Sequence, residues 1–188
     1  ADITITGTAF WETNSAMFGG GMRLYYYCTF SVPGEVTFLN NSGFQGAGMW
    51  ISKLSDVIIP GSSTFESNFA RYEGGGLFIF NSTVDFLPGS TARFYNNTSV
   101  LNGGAVLLYG GGELTVAGNA TFANNSAEIG GGMSALEGAH VTVTGNAVLT
   151  DNFAFSAGGA IFLDAPRKME VNGTQFLGNI AMQSGGAL

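Results

Sequence analysis

The chain has little of what most binding and catalytic chemistry draws on. Its 188 residues include one histidine, one cysteine and only six lysines and arginines, against 13 acids, for a formal charge of −7. No basic run occurs. Phosphate binding needs clustered cations, so no nucleic acid partner is expected. Cys28 stands alone, cannot close an internal disulfide, and leaves the redox compartment open. No apolar run approaches the roughly 20 residues of a transmembrane helix, so no membrane insertion is expected. Nothing at the start reads as a signal peptide, and the first residue is Ala, as in a processed product or a fragment. Helical periodicity is also missing, and short alternating stretches take its place.

Glycine is abundant, at 30 residues, about twice the usual share, so turns should be many and regular. They are regular because the chain repeats. Aligned on one large apolar anchor, it reads Trp11, Phe38, Phe65, Phe94, Phe122, Leu149 and Phe176, in steps of 27, 27, 29, 28, 27 and 27. Three residues after each anchor stands an Asn: Asn14, Asn41, Asn68, Asn97, Asn125, Asn152 and Asn179. A glycine phrase keeps the same beat, from "GGGM" at 19 and "GAGM" at 46 to "GGAI" at 158 and "GGAL" at 185. Before the anchor comes an alternating pair closed by Gly, as in "ITITG", "LTVAG" and "VTVTG".

Each repeat therefore holds three short strand-like segments separated by turns. A unit this small cannot bury a core alone, so its copies must stack. The expected fold is all-β: one parallel β-helix solenoid over residues 1–188, of about seven coils of 27–29 residues. At about 4.8 Å per rung, seven coils make a rod roughly 34 Å long. The anchors should stack inside the tube. The Asn column falls where a strand must turn, a place for the left-handed conformation that Asn tolerates, with its amides bonded to the Asn above and below. The glycines supply positive φ or room for close backbone approach.

These landmarks resemble the repeats of the chlamydial polymorphic outer membrane proteins, which alternate an F-x-x-N phrase with G-G-[A/G]-[I/L/V/M]. Phe38/Asn41, Phe65/Asn68, Phe94/Asn97, Phe122/Asn125 and Phe176/Asn179 carry the first phrase outright; Trp11 and Leu149 substitute in it, and Gly-Ala-Gly at 46–48 departs from the second. The resemblance implies a right-handed, pectin-lyase-like parallel β-helix displayed at a cell surface, as in adhesins and autotransporter passengers. Similar repeats also look like those of large secreted eukaryotic proteins.

Asn-x-Ser/Thr occurs at Asn40, Asn81, Asn96, Asn97, Asn119, Asn124 and Asn172. With 15 Asn and 31 Ser plus Thr, chance gives roughly 2.5 such triplets. Asn40, Asn96 and Asn124 precede ladder members and should face outward, whereas Asn97 is itself in the ladder and should be buried. The expected N-glycan sites are therefore Asn40, Asn81, Asn96, Asn119, Asn124 and Asn172.

Parallel β-helices also host polysaccharide lyases and hydrolases, whose sites need converging carboxylates and a cation. Asp56 and Asp85, with Arg71 and Arg93 nearby, are the best such set, but they differ in repeat phase by about one residue and lack a third acid. His140 precedes a strand alternation and reads as a surface or turn residue; Cys28 reads as a free, buried thiol. The glycine phrases lack the Lys-Ser/Thr of a phosphate loop. No catalytic residue, metal site or cofactor is expected. Ice binding needs a regular Thr face. The middle of the first strand reads Thr4, Ser31, Ile58, Asp85, Thr115, Thr142, Glu170 instead.

After each glycine phrase, Leu24, Ile51, Ile79, Leu108, Ala135 and Leu163 should point inward and Arg23, Trp50, Phe78, Leu107, Ser134 and Phe162 outward. Trp50, Phe78, Leu107 and Phe162 then form an apolar column fit for lateral packing. Bare strand edges at the ends would allow end-to-end stacking, which generates filaments. The expected role is an extracellular structural glycoprotein, a building block of a filament, stalk or surface appendage, whose partners are copies of itself or flanking repeats. An adhesin-type surface domain is the alternative, and a polysaccharide-cleaving enzyme the second.

Overall fold

The computed structural model describes all 188 residues and is a parallel β-solenoid of about seven turns. Coil three shows the plan: Asp56–Ile59, Ser62–Glu66, Phe69–Glu73 and Leu77–Phe80 follow one another round the tube. Stacking the coils yields four sheets, here A to D in that order, three of seven strands and sheet D of six. Every strand pairing is parallel, as between Ser62–Glu66 and both of its neighbours. Three sheets correspond to the alternating segments legible in the sequence. Sheet C is the addition. Its inward column is Ala16, Gly43, Ala70, Ser99, Ala127, Ala154 and Ala181, too small to register as an apolar alternation.

The anchors pair rung on rung from Trp11 to Phe176. Their rings stack nearly coplanar at 4.7–4.8 Å from Trp11 to Phe122, the spacing of parallel strands. From Phe38 to Leu149 they lie in one continuous core of 32 buried residues that also takes in Leu24, Ile51, Ile79, Leu108 and Ala135, with Trp11 and Phe176 partly buried against it. Burying each ring contributes about 1.5–3 kcal/mol, and stacking adds about 0.5–1.5. The third position of the glycine phrase stays small because it covers the ring of the next coil. A Cβ on Gly48 would fall 3.0 Å from Cδ1 of Phe65 and 2.5 Å from the Gly76 carbonyl.

Beside the rings runs a polar spine. The Asn68 side chain donates from Nδ2 to Oδ1 of Asn97 at 2.9 Å and to the Phe38 carbonyl at 2.9 Å. Asn97 repeats the pattern, to Asn125 and to the Phe65 carbonyl. Each Oδ1 also accepts the backbone N–H of the preceding Asn, as Asn97 does from Asn68. Four buried hydrogen-bonding positions per residue are thus satisfied by the rungs above and below, which is what makes a buried amide tolerable. The expected left-handed conformation falls one residue earlier: Thr13, Asn40, Ser67, Asn96, Asn124 and Asp151 have φ of 53–56°. In "NNS" and "NNT" the first Asn turns the corner and the second points into the spine. The ladder Asn needs ordinary φ because its side chain must reach along the axis.

Asn97→Ala would orphan the Asn68 donors and the Phe65 carbonyl inside the tube, and should destabilise by about 3 kcal/mol or more. Asn96→Ala, which only loses a residue suited to positive φ, should cost about 1 kcal/mol. Urea midpoints of the two variants check the ranking, and equal shifts would refute it.

Candidate functional site

The outward side of sheet D holds the most constructed cleft. Trp50 and Phe78 form its floor, their rings 6.1 Å apart and 10° from coplanar. One wall is Phe80 and Tyr109, stacked at 5.7 Å. The other is Gln45 and Glu73, and together these residues line about 430 Å³. The Glu73 carboxylate accepts from Gln45 Nε2 at 2.8 Å and from Asn102 Nδ2 at 3.2 Å, so amides one rung before and one rung after hold its two oxygens. Tyr109 is raised above the usual phenol pKa, first by a hydrogen bond with Glu137 and then by that carboxylate's charge, by burial and by the charge of Glu73. One coil earlier on the same column, the Arg23 guanidinium lies 4.9 Å from the Trp50 ring and 4.8 Å from Tyr25. An aromatic trough with a fixed carboxylate suits a planar or ammonium cation.

The expected apolar column does leave the tube, since Trp50, Phe78 and Leu107 form a cluster of their own. It is not an exposed face. Trp50 is 8%, Phe78 4% and Leu107 0% exposed, and Phe162 is half-buried. The turn glycines bring flanking chain against it: a Cβ on Gly46 would lie 2.9 Å from Cα of Trp50, and one on Gly74 3.1 Å from Cβ of Phe78. Phe18, Phe80 and Leu136 then pack over the sides.

The exposed apolar surface is on sheet C instead. Met17, Phe69, Val100, Phe155, Ile180 and Met182 all stand largely in solvent. The sequence shows no apolar alternation there, because the inward partners in these strands are alanine-sized.

Asp56 and Asp85 share sheet A but sit two residues apart in register, not one: Asp56 pairs Thr83, and Asp85 pairs Ile58. Arg93 lies on sheet B and Arg71 on sheet C. The four do not converge; the two ion pairs in the molecule are Arg167–Glu113 and Lys168–Glu170. His140 begins a sheet A strand, half-buried, 3.2 Å from the Thr142 hydroxyl. Cys28 is half-buried rather than buried, its thiol donating to the Tyr25 carbonyl at 3.3 Å. Its position is that of Ser55 and Ser82, whose hydroxyls accept backbone N–H groups from the coil before.

Asn40, Asn81, Asn96, Asn119, Asn124 and Asn172 are all exposed, and Asn97 is fully buried. Neither a family model, nor a curated protein, nor a solved structure matches the chain. The likeness of the repeat phrases therefore makes no family assignment.

Glycopeptide mass spectrometry of protein made in a eukaryotic secretory host should find Asn97 unmodified and glycans drawn from the six exposed sites. Asn97 occupied with Asn124 empty would refute the burial assigned to the spine.

Proposed function

We propose that this chain is a building block of an extracellular structural glycoprotein, a β-helical rod within a filament, stalk or surface appendage. The observation that carries it is the polarity of the Asn spine. Each Oδ1 accepts from the coil before, and each Asn N–H donates to the coil after. A rung of the same repeat, added in the same sense, would donate to Oδ1 of Asn14 at one end and accept from Asn179 at the other. The interior of such a rod is indifferent to its length, which suits a spacer or filament. The six exposed sequons and the resemblance to chlamydial surface repeats support an extracellular setting. The scattered Asp56, Asp85, Arg71 and Arg93 give a polysaccharide-cleaving role no support.

The Glu73 cleft favours a second reading, an adhesin-type domain that grips a cationic group. Titration with agmatine, followed at the Trp50 indole by NMR, would then give saturable shifts that Glu73→Gln abolishes. Shifts that never saturate would remove that reading.

Electron microscopy of native, unfractionated material with glycans intact separates the two. Filaments whose axial repeat is near the length of one rod, about 34 Å for seven coils, are expected. Isolated short rods would put the adhesin reading in its place.

A further inference from the structure

We propose that sheet C is the interface of a homodimer in which two rods pack face to face and antiparallel. The two-fold axis lies in the interface, along the strand of coil four. Such an axis sets coil one against coil seven, two against six, three against five, and four against itself.

The outer column of sheet C reads, coil by coil, Met17, Phe44, Arg71, Val100, Glu128, Phe155 and Met182. Under that axis Met meets Met, Phe meets Phe, Val100 meets its own copy, and Arg71 meets Glu128 twice. Arg71 and Glu128 form no ion pair within the chain, where the only two pairs lie elsewhere. Both are exposed. The neighbouring column reads Ser15, Ser42, Phe69, Thr98, Ser126, Phe153 and Ile180. The same axis sets each large side chain against a small one, Phe153 on Ser42 and Phe69 on Ser126. Open recesses lie where those rings would enter. One of about 440 Å³ surrounds Ser42 and Gly43, and one of about 330 Å³ surrounds Ser126 and Ala127. The exposed sequons lie off the sheet C strands, with Asn40, Asn96 and Asn124 at the corner two residues before Ser42, Thr98 and Ser126, so glycans there would border the face rather than cover it.

A parallel arrangement of the same two faces sets each coil against its own copy. Arg71 then falls on Phe69 and Glu128 on Ser126, which covers both charges without a partner and is costly. The antiparallel pairing alone satisfies charge and shape together. A face about 34 Å by 13 Å covers on the order of 450 Å² per rod. That is below the roughly 800 Å² per partner of standard interfaces, so the dimer should be weak and reversible.

The inference sharpens the lateral contact in the proposed structural role, and it is read out by association in solution rather than by axial order, so either can fail alone. Sedimentation velocity at about 100 µM, a concentration suited to a weak, transient interface, should show wild-type dimers. Arg71→Glu and Glu128→Arg should each be monomeric, because each homodimer would hold two like-charged pairs. An equimolar mixture of the two variants should dimerise again, since both contacts in the mixed pair are of opposite sign. A variant that had simply failed to fold would not be rescued. A monomeric wild type, single variants that dimerise undiminished, or a mixture that stays monomeric would each overturn the proposal.

Discussion

The spacing of parallel strands, about 4.8 Å, is the constraint from which the rest of the structure follows. It brings each side chain over its equivalent in the next coil, so every interior position must be a residue that packs well against itself. Aromatic rings meet the condition by lying coplanar, and their 4.7–4.8 Å centroid separations are the strand spacing itself. Asn meets it because an amide carries donors and an acceptor that can face opposite ways along one axis. Charged residues cannot meet it, since a column of like charges would be buried at that spacing. The interior has none, and the low charge of the whole chain reflects how much of it lines the tube.

The same constraint explains what could be read without coordinates. The sheet A row from Thr4 through Asp85 to Glu170 pairs residue for residue, although its steps differ from those of the anchor column where the turns between sheets differ in length. What escaped was lateral, around the coil rather than along it. Repeats specify which residue stands above which, but not how sharply the chain turns between columns. Trp50 and Phe78 face away from the tube, yet the turn at Gly46 and Gly74 folds flanking chain against them. Sheet C escaped for a related reason: Ala70, Ala127 and Ala154 present no apolar side to alternate against. Its strands also carry an irregular step, between Ala70 and Glu73 and between Ala127 and Ile129, which breaks the period-two pattern.

Repetition has a cost for recognition. A rod whose rungs are equivalent can be gripped at any rung, and two such rods can slide past each other by one spacing with little change in contact. Register between rods can therefore be specified only by positions that depart from the repeat. The inner columns are nearly uniform, whereas the outer columns of sheet C vary from coil to coil, and it is there that departures could set a register.

Arg71 and Glu128 are the two departures that matter in this respect. Most of their column is apolar, and apolar contacts grade smoothly with slip: Phe on Met or Val is little worse than Phe on Phe. Charge does not grade in that way. Sliding one antiparallel rod by a single rung carries Arg71 onto Val100 or Phe155, leaving two guanidiniums covered by hydrocarbon and two carboxylates without partners. Breaking a covered pair costs far more than the pair contributes when made, so the two charges act chiefly by penalising the wrong registers. Apolar area would hold two such rods together, and one pair of opposite charges, placed symmetrically about the middle coil, would decide where they stop.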